Sequence, residues 1–89
     1  MNRYRVEFSS KASKTMLKLD STVSRMIYGW IDKNLDQCID PRAHGKALTG
    51  NLSGLWRYRV GNYRLIAEIR DDRLVILMID VGHRSEIYN

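Results

Sequence analysis

The C-terminal part of the chain reads as three consecutive strands joined by two tight turns, and this pattern limits the fold more than any other feature. The runs LWRYRV, YRLIAEIR and RLVILMIDV predict strands at about 55–60, 63–70 and 73–81. Gly61-Asn62 and Asp71-Asp72 supply the turns. Strands joined by two residues run antiparallel, so we expect an antiparallel β-meander. The last strand is apolar on both faces, which predicts a central position.

The preceding residues predict one strand and a pair of helices. RYRVEF alternates in polarity as a half-buried strand does, and Ser9 or Ser10 can cap a helix within KASKTMLKLD. Ser21 can cap a second helix, whose apolar stripe comprises Val23, Ile27, Trp30, Ile31, Leu35 and Cys38. The stretch 40–54, with one proline and three glycines, predicts a loop back to the sheet. We therefore expect a single α+β domain over residues 1–89, with the N-terminal strand and helix hairpin packed on the meander. The pattern leaves open where the first strand joins the sheet.

The strand register divides the meander into an apolar and a basic face. The side expected to receive the helices carries Trp56, Tyr58, Tyr63, Leu65, Ala67, Ile76 and Met78. The opposite side carries Arg57, Arg59, Arg64, Ile66, Leu77 and Ile79. Both tryptophans fall on apolar faces, and we interpret them as packing residues.

The basic face places like charges next to each other. If Val60 and Tyr63 flank the turn, Arg59 lies directly opposite Arg64, an arrangement that destabilises a sheet by a fraction of a kcal/mol to about 1 kcal/mol. Glu68 is the one acid expected nearby, and it can pair with Arg57 diagonally. Three guanidinium groups on a rigid sheet suit a phosphodiester, because the planar fork of arginine donates two parallel hydrogen bonds. The alternative is a solvent-facing strand whose arginine stems lie along apolar neighbours.

Charge and composition narrow the class of partner. Fifteen Lys and Arg against ten Asp and Glu give a net charge of +5, which favours a polyanionic partner.

One cysteine forms no internal disulfide, and two histidines with one cysteine make a poor zinc or iron site, so we expect no metal and no other cofactor. The apolar run LVILMIDV is too short to span a bilayer, and MNRYRVEFSS lacks the apolar core of a signal peptide. We therefore expect a cytoplasmic protein with no membrane partner.

The C-terminal segment VGHRSEIYN, together with the YR pair at 63–64 and the apolar last strand, resembles the RelE toxins of bacterial and archaeal toxin–antitoxin pairs. The likeness spans nearly the whole chain. It implies a microbial-ribonuclease-like fold and an endonuclease that cleaves mRNA in the ribosomal A site by metal-independent attack of a 2′-hydroxyl. It also implies a cognate RelB-like antitoxin as partner, besides mRNA and the ribosome with its 16S rRNA.

The resemblance also implies which residues form the site. The catalytic set carried over from the family comprises Arg57, Arg59, Arg64, Arg84 and Tyr88. Arg57 and His83 are the expected RNA contacts. Acid–base work is a chemically possible alternative for His83, because histidine is the residue type in this group that ordinarily titrates near neutral pH. The best-studied family pattern has lysines where this chain has Arg57 and Arg59. Because arginine hardly ever gives up its proton, we expect these two residues to stabilise charge and not to act as a base.

Two other functions remain compatible with the pattern. ParE-type toxins resemble this architecture but act on DNA gyrase. A non-catalytic nucleic-acid-binding module would use the basic face to contact backbone phosphates, which explains the charge but not the C-terminal motif.

Overall fold

The computed structural model describes residues 2–83 and confirms the α+β class. Two helices pack on one five-stranded mixed sheet. The elements are β1 (Arg5–Phe8), α1 (Ser10–Lys18), α2 (Ser21–Asn34), β2 (Lys46–Ala47), a short 3-10 turn (Gly50–Leu52), β3 (Trp56–Val60), β4 (Tyr63–Arg70) and β5 (Val75–His83). Within these residues, neither helix is long and apolar enough to cross a membrane.

The sheet has the strand order β1-β5-β4-β3-β2. Strands β3, β4 and β5 form the predicted antiparallel meander. Strand β1 joins parallel to β5, with Arg5 beside Val75 and Phe8 beside Met78. Strand β5 therefore lies between β1 and β4, which is the central position that its apolar sequence predicted. Strand β2 was not predicted, because its two residues lie in the segment interpreted as a loop, and it pairs with the outer edge of β3.

The core lies between the helices and the predicted apolar face of the sheet. Its fully buried large side chains are Tyr58, Ile27, Leu35, Leu65, Ile76 and Met78. Full burial of each such aliphatic side chain contributes about 1.5–3 kcal/mol. Trp30 and Trp56 are half-buried and pack against this core, which confirms their interpretation as packing residues.

The caps differ from the prediction at one helix. Ser9 caps α1, because its hydroxyl accepts a hydrogen bond from the Ala12 amide at 3.1 Å. Asp20, and not Ser21, caps α2, and its carboxylate accepts from the Thr22 amide at 3.0 Å. A carboxylate also interacts favourably with the positive end of the helix dipole. Cys38 lies beyond the end of α2, so the predicted apolar stripe is longer than the helix.

Both meander turns are present, but the second is longer than predicted. Gly61 has a φ of 59° and Asn62 does not have a positive φ, as in a type II′ hairpin turn. The second connection occupies residues 71–74, so β5 begins at Val75 and not at residue 73. Leu74, at its end, adopts a left-handed φ of 55°.

A β-bulge in β5 changes which residues face the helices near the end of that strand. Ile66 lies opposite Asp80, whereas Ala67 lies opposite Met78, so Ile79 is an extra residue in β5. Strict alternation would place residue 81 on the arginine side. Because of the bulge, Val81 instead lies on the helix side, where it is buried.

Candidate functional site

The β3–β4 hairpin places Arg59 directly opposite Arg64, as the sequence predicted. In a two-residue hairpin the pair that flanks the turn is hydrogen-bonded, and the types of pair alternate along the ladder. Arg59 and Arg64 therefore form a pair of the closer, non-hydrogen-bonded type, with Cα atoms about 4.5 Å apart. On its other side Arg64 lies opposite Gly82, which adds no side chain to this face.

A second like-charged pair lies beside the first. Arg57 is two residues from Arg59 and shares its face, and Lys46 of β2 lies directly opposite Arg57. Directly opposed residues of antiparallel strands project to the same face. We refer to Lys46, Arg57, Arg59 and Arg64 as the cationic cluster. The sequence analysis missed Lys46 because β2 is so short, and the only local signal is the run Lys46-Ala47-Leu48 between glycine-containing stretches.

The members of the cationic cluster differ in exposure. Lys46 and Arg59 are exposed, whereas Arg57 and Arg64 are half-buried. Ile66 lies opposite Arg57 on the same face and is only 4% exposed. This burial agrees with arginine stems that pack along an apolar neighbour, and the Nε atoms of Arg57 and Arg64 are themselves buried. Packing of the stems and binding of an anion by the guanidinium groups are therefore compatible.

Three acidic residues that share this face, all within residues 2–83, pair with basic residues outside the cationic cluster. Glu68 accepts a hydrogen bond from Arg70, Asp80 pairs with Lys11 at 3.2 Å, and Glu7 pairs with Arg5 at 2.9 Å. The ion pair of Glu68 is thus with its strand neighbour Arg70, and not the predicted diagonal pair with Arg57. Over residues 2–83, the register leaves this face with more basic than acidic side chains.

The structure brings three of the predicted site residues together and separates a fourth from them. Arg57, Arg59 and Arg64 share one face of the sheet. His83 lies opposite Tyr63 on the helix side, and the two rings make an edge-on contact with centroids 5.5 Å apart. The bulge at Ile79 is the physical reason, because it reverses the faces of the last residues of β5. Arg84 and Tyr88 lie outside the described residues.

Within residues 2–83, neither His44 nor any group of metal-binding side chains forms a further site. His44 is exposed, and its ring makes an edge-on contact with Trp30. Among residues 2–83, no three His, Cys, Asp or Glu side chains come close enough to hold a metal ion. The cationic cluster offers electrostatic chemistry, through guanidinium and ammonium groups on a rigid sheet.

Comparison with known proteins agrees with this geometry. Residues 6–88 match the family described as the ParE toxin of the type II toxin–antitoxin system parDE. The chain is 29% identical to the toxin RelG of Mycobacterium tuberculosis, over 96% of this chain and 95% of RelG. It is 30% identical to the mRNA interferase toxin RelE of Escherichia coli K12, over 97% of this chain and 90% of RelE.

A solved structure extends the similarity to three dimensions. The toxin–antitoxin complex RelBE2 from Mycobacterium tuberculosis contains a chain that is 28% identical, with a TM-score of 0.82 over 92% of this chain and 99% of that one. The present chain therefore belongs to the ParE-toxin family of type II toxin–antitoxin systems, in which its relatives are RelE-like toxins. This membership confirms the resemblance that its hairpin and C-terminal segment indicated.

Proposed function

We propose that this toxin is a ribosome-dependent endoribonuclease that cleaves mRNA in the ribosomal A site and thereby inhibits translation. The observation that carries the proposal is the direct opposition of Arg59 and Arg64, with Arg57 two residues along the same face. Opposed like charges on neighbouring strands destabilise a sheet. A bound phosphate offsets this repulsion, and a sheet holds the phosphate more rigidly than a loop does.

In the proposed reaction the 2′-hydroxyl oxygen of the RNA attacks the adjacent phosphorus atom. A bond from phosphorus to the 2′-oxygen forms, and the bond from phosphorus to the 5′-oxygen breaks. The 2′-hydroxyl loses its proton and the leaving 5′-oxygen gains one, so the products are a 2′,3′-cyclic phosphate and a 5′-hydroxyl. The pentacoordinate state carries additional negative charge, which preorganised cations stabilise. The reaction as proposed uses no metal ion.

Each residue has a separate role in this scheme. Arg59 and Arg64 hold the scissile phosphate, and Arg57 adds positive charge beside it. By family resemblance, Arg84 stabilises or protonates the leaving 5′-oxygen, and Tyr88 stacks on a base or orients the 2′-hydroxyl. The three arginines of the hairpin act through charge, since arginine keeps its proton at any relevant pH.

His83 is not part of the proposed phosphate site. Its register places it beside Tyr63 on the helix side of the sheet, away from the cationic cluster. We leave an RNA contact of His83 out of the proposed scheme, because its ring contacts the ring of Tyr63.

The proposal includes three partners: a cognate RelB-like antitoxin, mRNA, and the ribosome with its 16S rRNA. The relative RelE is named an mRNA interferase, which supports mRNA as the substrate. The similar chain in RelBE2 comes from a toxin–antitoxin complex, which supports an antitoxin as a partner. A basic face also attracts polyanions and acidic protein segments over a distance. Because ribosomes are the site of action, we propose a cytoplasmic location.

A reconstituted translation reaction read out by primer extension tests this function. We expect the wild-type toxin to cut mRNA at defined codon positions only while ribosomes translate it. Arg59→Ala and Arg64→Ala are expected to slow cutting on the order of 100-fold or more, because each removes an oriented charge-stabilising donor. Arg73→Ala removes an exposed arginine in the β4–β5 turn and serves as the matched control. Well-folded Arg59 and Arg64 variants that cut at the wild-type rate would contradict the proposal.

The ends of the cleaved RNA test the chemistry separately. We expect the downstream fragments to carry 5′-hydroxyl groups that a polynucleotide kinase labels without prior phosphatase treatment. An mRNA with a single 2′-deoxynucleotide at the cleavage position is expected to resist cutting there. Downstream fragments with 5′-phosphates, or cutting that persists at the 2′-deoxy position, would rule out attack by the 2′-hydroxyl.

Inhibition of DNA gyrase is the second candidate function, because the matching family is described as ParE toxin. A gyrase inhibitor would produce cleaved or unsupercoiled plasmid DNA in a purified gyrase reaction and no cuts in mRNA. The opposed arginines favour RNA cleavage, since they suit a single phosphate that gains charge during a reaction. A passive nucleic-acid-binding module would produce neither result.

A further inference from the structure

We propose that a groove beside Arg57 binds the nucleotide next to the scissile phosphate and contributes to the choice of codon. This inference rests on the proposed function and adds a substrate-binding site to it. We refer to this groove as the β2 groove; it is lined by Lys46, Ala47, Leu48, Thr49, Asn51, Leu52 and Arg57. Its volume of about 570 Å³ lies within the range of small-molecule binding sites.

The β2 groove is continuous with the cationic cluster. Lys46 and Arg57 belong to both, and their direct pairing across β2 and β3 places them on the same face. The Lys46–Arg57 pair and the Arg59–Arg64 pair lie two residues apart along β3, which is about 6–7 Å in a strand. One RNA strand can therefore present two neighbouring phosphates, one to each pair.

The lining of the β2 groove also offers chemistry that a phosphate does not require. The Thr49 hydroxyl and the Asn51 amide can donate and accept hydrogen bonds, as the edge of an unpaired base does. Leu48 and Leu52 supply apolar surface in the same groove. Phosphate contacts position a nucleic acid, whereas contacts to base edges carry sequence information. The groove combines both kinds of contact.

The segment that forms the β2 groove is held by backbone hydrogen bonds. The Leu48 amide donates to the Leu55 carbonyl at 2.9 Å, and the Leu52 amide donates to the Thr49 carbonyl at 3.2 Å. The Ser53 amide donates to the Gly50 carbonyl at 3.1 Å. A site supported in this way holds its contact residues more rigidly than an unsupported loop.

An acidic segment of the antitoxin is the competing occupant, because it too would be attracted to Lys46 and Arg57. To bind a carboxylate, the groove would need only the cations Lys46 and Arg57. The neutral amide and hydroxyl groups, next to the residues proposed to hold the scissile phosphate, suit a nucleotide better. We therefore assign the groove to RNA and make antitoxin binding an outcome of the test.

The main test compares codon profiles of groove variants in the translation reaction. Lys46→Gln is expected to lower cutting about tenfold at all codons, since a phosphate contact carries no sequence information. Asn51→Ala and Thr49→Val are expected to change the ranking of cut codons, with shifts of about tenfold at individual codons. Lys14→Gln makes the same charge change on the exposed side of α1 and is expected to leave both rate and ranking unchanged.

A binding measurement keeps this inference separate from the proposed function. The probe is a short oligonucleotide with 2′-deoxy sugars, which cannot undergo the proposed attack, titrated into the free toxin and followed by NMR. We expect the titration to shift the Asn51 side-chain amide signals. In Lys46→Gln, the slope of log Kd against the logarithm of the salt concentration is expected to be smaller by about one.

Two results would overturn the inference. One is that all three groove variants keep the wild-type codon profile and cutting rate. This result overturns the inference also where Lys46→Gln weakens antitoxin binding, because the groove would then serve the antitoxin and not the RNA. The other is an oligonucleotide titration that leaves the Asn51 signals unchanged. If the wild-type toxin cuts no mRNA, the proposed function fails, and the titration still decides whether the groove binds a nucleotide.

Discussion

The hydroxyl of Tyr58 in β3 donates a 2.7 Å hydrogen bond to the backbone carbonyl of Pro41, 17 residues earlier in the chain. Both residues are buried. The bond anchors the segment after α2 beneath the strand that carries Arg57 and Arg59. Burial, with a smaller contribution from the nearby Cys38, raises the pKa of Tyr58 above its ordinary value.

Tyr58→Phe is expected to lower the free energy of unfolding by about 1–3 kcal/mol near neutral pH, because the Pro41 carbonyl then stays buried without this donor. The raised pKa means that the stabilisation is complete below the unfolded-state pKa of about 10 and is lost as the pH rises beyond it. Urea unfolding of the wild type and Tyr58→Phe at several pH values measures this difference. Tyr28→Phe, at a 43% exposed position, is the control. A difference that stays constant above pH 10 would contradict the assignment.

Gly45 lies against the backbone of Arg57 and requires the absence of a side chain. Its φ is 82°, and an added Cβ would lie 2.2 Å from the Arg57 carbonyl oxygen and 2.8 Å from Nε1 of Trp56. Gly50 also has a positive φ, of 64°, but a Cβ there would meet nothing within 4 Å. The two glycines therefore separate the cost of backbone conformation from the cost of a steric clash.

Gly50→Ala is expected to destabilise the fold by about 1–2 kcal/mol through the left-handed backbone alone. Gly45→Ala is expected to cost about 3 kcal/mol or more, because overpacking adds to that conformational cost. Thermal unfolding of both variants measures the difference. Since Gly45 contacts the Arg57 backbone, Gly45→Ala should also slow mRNA cutting more than Gly50→Ala does. Equal stability of the two variants would show that Gly45 is not packed against β3 as described.

A network at Asp71 joins three distant parts of the chain. Its carboxylate accepts two 3.0 Å hydrogen bonds from Arg42 and one of 2.5 Å from the Tyr4 hydroxyl. The bonds from Arg42, and secondly the bond from Tyr4, lower the pKa of Asp71. The network thereby links the segment before β1, the segment after α2 and the β4–β5 turn.

Asp71→Asn is expected to lower the free energy of unfolding by less than about 1 kcal/mol at neutral pH, because the Arg42–Asp71 pair is largely exposed to solvent. A lowered folded-state pKa means that this stabilisation is present above the unfolded-state pKa of about 3.9 and is lost as the pH falls below it. The difference between wild type and variant should therefore shrink in acid. Asp72→Asn, at the next exposed position, is the control.

The sequence predicted the centre of the candidate site because a local feature sets its register. A two-residue turn at Gly61-Asn62 decides that Arg59 faces Arg64, and alternation then places Arg57 on the same side. The place of β1 was not predictable in this way, because its parallel pairing with β5 joins residues about 70 positions apart and leaves no local signal.

Two short irregularities account for the site residues that the sequence misplaced or missed. One extra residue, Ile79, lies within a run that is apolar on both faces, so no change of polarity marks the bulge that moves His83 to the helix side. Strand β2 has two residues and forms only because it pairs with β3, so neither periodicity nor propensity indicated Lys46. In both cases tertiary pairing, and not local sequence, decides the geometry.

The opposition of Arg59 and Arg64 predicts a conflict between stability and activity. Arg59→Gln removes one charge of the pair at an exposed position and is expected to raise the free energy of unfolding by about 0.2–1 kcal/mol at low salt. Added salt screens the repulsion, so the gain should diminish as the ionic strength rises. The same variant should cut mRNA on the order of 100-fold more slowly.

Urea unfolding at two or more salt concentrations, together with the primer-extension assay, measures both effects. Arg73→Gln removes an arginine from the β4–β5 turn and is expected to change neither quantity. Inorganic phosphate, as a ligand of the folded state, should stabilise the wild type more than Arg59→Gln, because the site keeps its full charge only in the wild type. If Arg59→Gln is instead less stable at low salt, the arginine contributes packing and not repulsion. The basis for a phosphate site on this face would then be lost.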